Sequence, residues 1–208
     1  MPKSGELTYL AILNAANRIV QERGVERLTL ELTAQEAGVS KGGLLYHFPS
    51  KEALIRGMIR YYLDRFTEDF SAAARDQGEG TVGRWTRSYL YTTSNDFQRT
   101  PRMSSGLLAA VATNPALLEP MQETFAEWVK LLEQDGIDPA LAAIVRLAVD
   151  GLWLVELFGL ASPDAGRRAQ VLQALETLIG MNLPLSNLEQ PGYGAEEPPV
   201  PGGAAARD

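Results

Sequence analysis

Residues 28 to 51, LTLELTAQEAGVSKGGLLYHFPSK, constrain this chain more than any other stretch. Thr29 is a good N-cap ahead of an apolar run at helical spacing, in which Leu30, Ala34 and Ala37 share one face. Gly38 can enter the left-handed region at no steric cost, so it stops that helix. Ser40 caps a second helix carrying Leu44, Leu45 and Phe48. Pro49 ends it, because a proline disfavours helix at the residue before it. Ser50 caps a third helix, with Glu52 in its first turn. Helix, tight glycine-containing turn and helix make a helix-turn-helix, whose second helix enters the DNA major groove.

AGVSKGGLLYHFPSKEAL (37 to 54), preceded by ILNAANRIVQERGVERLTL (12 to 30), resembles the N-terminal signature of the tetracycline-repressor (TetR) family of bacterial regulators. Gly43 stands where that family most often has Thr, Leu45 where it has an aromatic, and Thr33 where it has an aliphatic. The resemblance implies an all-α fold. It implies that residues 1–50 form a helix-turn-helix domain and 51–183 a helical domain for ligand binding and dimerisation, while the Pro/Gly/Ala/Glu-rich composition of 184–208 leads to the expectation of a disordered tail. It also implies a repressor, working as a cytoplasmic homodimer on double-stranded DNA with a near-palindromic operator.

Within the second short helix, Ser40, Lys41, Gly42, Gly43, Tyr46 and His47 are the small or polar positions. Two adjacent glycines cost a helix about 1 kcal/mol each relative to Ala. Their presence is explained if a side chain there would hold the backbone off DNA. Lys41 reaches a phosphate or a guanine edge, and Tyr46 and His47 carry ring donors. Lys51 and the N-terminus at Thr29 lie where phosphate would sit. These eight positions match the family's DNA-contacting ones.

Charge fits an end-on DNA reader. The net charge is −7. Residues 1–65 carry nine Lys/Arg against seven Asp/Glu, whereas 66–208 carry ten against nineteen. An acidic body thus bears a mildly basic head. With one histidine, no cysteine and no phosphate loop, the chain offers no catalytic set, no metal ligands and no cofactor motif. The most apolar stretch, 141–161, contains Arg146, Asp150 and Glu156. A buried helix is expected there rather than a membrane span.

Helical spacing continues along the chain, with long helices expected over 6–23 and 51–75. Further helices are expected over 82–98, 102–113, 117–135, 138–160 and 162–183. Trp85, Tyr89, Thr92, Thr93 and Asp96 share one face of the 82–98 helix. That face suits either an ordinary core or a pocket for an apolar or cationic small molecule. Met103, Leu107, Phe125 and Trp128 are candidate walls. DGLWLVELFG (150–159) resembles the family's dimerisation segment, which implies an interface involving Gly151, Trp153, Leu154, Leu172 and Leu175. Arg146 and Asp150, four apart, are expected to pair. A helical ligand-binding or scaffold protein that keeps the fold without reading an operator is the alternative.

Overall fold

The computed structural model describes residues 4–96, 107–108, 110–111 and 114–185. Eight α-helices and no strand are present among them. They are α1 (Ser4–Arg23), α2 (Leu30–Ala37), α3 (Lys41–His47) and α4 (Lys51–Asp76), then α5 (Arg84–Asp96), α6 (Glu119–Glu133), α7 (Pro139–Phe158) and α8 (Ala165–Met181). Short 3-10 turns sit at Val25–Arg27 and Pro115–Leu117. Of the expected helix 102–113, residues 107, 108, 110 and 111 are described and are helical, while the tail beyond Leu185 lies outside the described residues.

The caps are those the sequence asks for. The Thr29, Ser40 and Ser50 hydroxyls accept from the Leu32, Gly43 and Ala53 amides, each three residues on. Gly38 closes α2 at φ 67, and Asp138 caps α7 with Pro139 at its first position. Thr33, in an aliphatic site, is fully buried, and its hydroxyl donates to the Thr29 carbonyl at 2.7 Å. The polar atom is thus satisfied locally.

α4 is the spine. Its first half buries Leu54, Ile55, Met58 and Ile59, and its second half buries Leu63, Phe66 and Phe70. Along its length α4 meets α1, α5 and α6. One cluster of buried side chains runs from Ile12 through α4 to Ile179, so head and body share a core. α5 is wedged between α4 and α7, while α7 carries α8 on its flank.

The head is seated on α4 through a close approach at Gly57. A Cβ on Gly57 would lie 2.5 Å from Phe48 Cε1. Phe48 is buried and stacks on Tyr9 at 5.1 Å, so its ring has nowhere to retreat. Gly57→Ala therefore overpacks this contact at about 1–3 kcal/mol. The gain in helix propensity of about 1 kcal/mol offsets only part of that. A lower midpoint in urea is expected, and an unchanged or higher midpoint would contradict this packing.

Candidate nucleic-acid interface and ligand cavity

α2 and α3 present the reader. Leu44 and Phe48 turn inward, leaving Lys41, Gly42, Leu45 and Tyr46 exposed on the outer side of α3. Tyr46 is 86% exposed, which no folding role explains. His47 is half-buried, its ring edge-on to Tyr9 at 5.9 Å and to Tyr46 at 5.2 Å. Nothing lies within 4 Å of a Cβ placed on Gly42, so the fold itself does not require glycine there. A Cβ on Gly43 would meet the Ser40 hydroxyl at 3.2 Å. Thr29 and Ser40 sit exposed at the N-termini of α2 and α3, where backbone amides face outward.

Two lysines are already engaged. Lys41 Nζ lies 2.6 Å from Glu31 Oε1, and both side chains are exposed. Such a pair holds weakly and yields readily to a phosphate. Its hydrogen bond to Lys41, foremost, pulls the Glu31 carboxyl below its usual range. Lys51 Nζ donates to the Val25 carbonyl at 3.0 Å, pinning the turn after α1 to the start of α4. Its first task is structural, with further N–H donors left for a phosphate.

In the body, four helices enclose a small cavity of about 50 Å³. Tyr62 and Phe66 come from α4, and Tyr89 and Thr93 from α5. Met121, Phe125 and Trp128 come from α6, and Asp150 and Trp153 from α7. The Tyr89 hydroxyl donates to Asp150 Oδ1 at 2.7 Å, and Arg146 Nη1 lies 3.2 Å from Asp150 Oδ2. Burial raises the Asp150 pKa, opposed by the Tyr89 hydrogen bond and the Arg146 charge. Burial, then the Asp150 charge, pushes the Tyr89 phenol well above its ordinary value.

The N-terminal stretch, residues 12–58, matches the sequence profile of bacterial regulatory proteins of the tetR family. Residues 83–180 match that of the tetracyclin repressor-like C-terminal domain. Together these spans cover more than half of the chain. The chain belongs to the TetR family. It is 34% identical over 145 residues to the HTH-type transcriptional regulator RutR of Escherichia coli K12, a match covering 62% of this chain and 65% of RutR. The chain thus spans just under two thirds of that relative. It is 29% identical over 192 residues to UidR of the same strain, covering 86% of the chain and 95% of UidR. A TetR-family transcriptional regulator from Rhodococcus sp. superposes with a TM-score of 0.64 at 25% identity, covering 83% of this chain and 98% of that one.

The pocket residues that the sequence suggests for this TetR-family chain fall into three groups. Tyr89, Phe125 and Trp128 do line the cavity. Trp85 instead packs on Phe70 at 5.2 Å with the Arg84 guanidinium over its ring, and Thr92 and Leu107 are buried without lining the cavity. A helix face is wide, and which of its edges meets a void depends on the neighbouring helices. Met103 and the Asp96 side chain lie outside the described residues. Thr93, on the helix face the sequence offered for a pocket, and Asp150, which the sequence favoured as the structural partner of Arg146 over a ligand contact, line it too, whereas Tyr62, Phe66, Met121 and Trp153 line the cavity without having been placed there by the sequence. The Arg146–Asp150 spacing flagged the pair but not the cavity behind it.

α7 has two faces. Val145, Val149 and Leu152 are buried, and Asp150 and Trp153 turn to the cavity. On the other side Ile144, Leu147, Gly151, Leu154 and Phe158 are exposed, spaced three, four, three and four apart. This is the three–four spacing of a coiled-coil seam, with no partner among the described residues. Gly151 and Leu154 lie on it. Leu172 is half-buried, while Leu175 is buried within the single-chain core and Trp153 faces the cavity, so neither belongs to the seam. No described helix is long and apolar enough to cross a membrane.

Proposed function

We propose that this TetR-family regulator is a cytoplasmic homodimeric repressor that reads a near-palindromic operator and is released by a small apolar or cationic molecule bound in its helical body. The observation that carries the reading is the reader helix itself. It exposes Tyr46 almost fully beside two glycines, of which the fold does not need Gly42. Exposed tyrosine, lysine and bare backbone together suit contact with phosphates and base edges. The seam on α7 supports pairing with a second copy. Two readers in a two-fold dimer then address half-sites about one helical turn, ~34–36 Å, or a multiple apart.

Coupling runs through α4, which carries both the seat of the head at Gly57 and the cavity walls Tyr62 and Phe66. Arg56 on α4 also pairs with Glu119 at the start of α6 at 2.6 Å. A ligand that widens the cavity by shifting α4 changes the seat of the head, and with it the spacing of the readers. A preference of about 100-fold for the mis-spaced state supplies about 2.7 kcal/mol.

Fluorescence anisotropy on the intergenic DNA beside the gene, against a scrambled duplex, tests this reading. Specific binding should exceed scrambled binding by about 10³ or more. Gly42→Ala separates the two roles of that position. It should stabilise the protein by about 0.5–1 kcal/mol, because Ala favours helix. It should also weaken operator binding about tenfold or more, because a methyl group holds the backbone off DNA. Equal binding to both duplexes, or a Gly42→Ala variant that binds as well as the parent, would remove α3 as the operator reader.

A further inference from the structure

We propose that the cavity takes an organic cation, a protonated amine on a flat aromatic body, whose N–H groups are accepted by Asp150 and Thr93. This rests on reading the helical body as the ligand-responsive unit. It adds the class of ligand and the two polar groups that select it.

Three observations carry it. First, the Thr93 hydroxyl lines the cavity with no hydrogen-bond partner, on a residue only 6% exposed. A buried hydroxyl without a partner is costly, and a ligand that supplies one recovers that cost. Second, Asp150 is the only carboxylate lining the cavity among the described residues. Tyr89 and Arg146 each take one of its oxygens, and a carboxylate has about four lone-pair sites. Acceptor capacity therefore remains. Third, the rest of the wall is aromatic, with Tyr62, Phe66, Phe125, Trp128 and Trp153 around the space. Ring faces are electron-rich and attract a cation while repelling an anion.

The approach to the cavity has the same sign. An open groove of about 900 Å³ between α4 and α6 carries Asp64, Glu68, Glu123 and Glu127 with Arg75; Glu68 pairs with Arg65 at 3.0 Å and Glu127 with Lys130 at 2.6 Å, which leaves Asp64 and Glu123 against Arg75 as its excess of negative charge. Trp128 borders both spaces. Its indole N–H donates to Thr67 Oγ1 at 3.1 Å, and Thr67 lines the groove. Trp128 is thus shared by the two spaces, held by this hydrogen bond and by ring contacts with Phe66 at 4.7 Å and Phe125 at 4.8 Å. At about 50 Å³ the cavity holds no such ligand until Trp128 or Phe125 moves. Acidic groups at the mouth raise the local concentration of a cation.

The test uses the full-length protein and three quinolines substituted at the ring carbon para to nitrogen: the amine, which is a cation at neutral pH, the neutral methyl compound and the anionic carboxylate. Tryptophan quenching and calorimetry read binding, since Trp128 and Trp153 both line the cavity. The amine should bind about tenfold tighter than the methyl compound, and the carboxylate weakest. Asp150→Asn should cost the amine about tenfold while the methyl compound stays within a factor of about three. Thr93→Val, which leaves the Arg146–Asp150 pair intact, should weaken the amine alone. Equal binding of all three overturns the proposal, as does a preference for the amine that survives both variants, or no binding at millimolar concentration.

Operator anisotropy run in parallel separates this proposal from the broader reading. Release by neutral or anionic compounds only would overturn the ligand class and leave the regulator standing. Asp150-dependent amine binding in a protein that binds no operator would do the reverse.

Discussion

Leu147→Glu should convert the dimer to a monomer and lower operator affinity at least about 100-fold. Leu147 is 59% exposed in the single chain and is one of the five residues of the α7 seam. The substitution therefore leaves the monomer core untouched, so the monomer should stay folded and lose only the concentration-dependent stability that pairing with a second copy adds. In a two-fold dimer the change occurs twice, and each carboxylate must lose its water against apolar neighbours. An unpaired charge in such a place costs several kcal/mol. A monomer offers one reader to one half-site and loses the gain from linking two. Analytical ultracentrifugation with anisotropy on the same sample checks both parts. A persistent dimer would move the interface off α7. A monomer that still binds the operator fully would dismiss the two-half-site geometry.

Phe70→Ala should cost about 3–5 kcal/mol of stability. Phe70 is fully buried on α4, with ring centroids of Trp85 at 5.2 Å, Tyr89 at 5.8 Å, Trp128 at 6.2 Å and Phe66 at 6.3 Å. Four rings of this size cannot collapse onto the space left by a fifth, so a void remains. Against a typical total of about 5–15 kcal/mol, the loss is a large share. Urea unfolding at fixed protein concentration should show a much lower midpoint with a similar slope. The near-UV signal should also fall, because Trp85 and Trp128 lose the neighbour that orders them. A cost under about 1 kcal/mol would mean that the aromatic cluster repacks freely. The tight wall assigned to the ligand cavity would then be wrong as well.

Local signals were enough for the head. Thr29, Gly38, Ser40, Pro49 and Ser50 act within three or four residues of themselves, so the helix-turn-helix and its caps are legible from spacing alone. The exposed face of α3 follows too, because Leu44 and Phe48 leave only one way for the helix to turn. The long helices were legible to within a few residues at their ends, through apolar periodicity and Pro and Gly punctuation.

The body was a different matter. α5 begins without a cap of its own. Its first amides, at Trp85 and Thr86, donate to the Asp135 carboxylate at 2.9 and 2.7 Å, from about fifty residues away. Similarly, Arg168 on α8 ties Glu156 on α7 at 2.6 Å to the Ser94 carbonyl on α5 at 2.6 Å, across three helices. No spacing rule reaches that far. The cavity is of the same kind, a void between four helices whose walls are chosen by how each is rotated. By itself the sequence determined the all-α class and the helix-turn-helix with its caps, because these depend on contacts between near neighbours. Only the tertiary structure decided that Asp150 and Thr93 face one space and that α7 shows a seam left uncovered by the described residues, because those facts depend on the mutual rotation of helices distant in the chain.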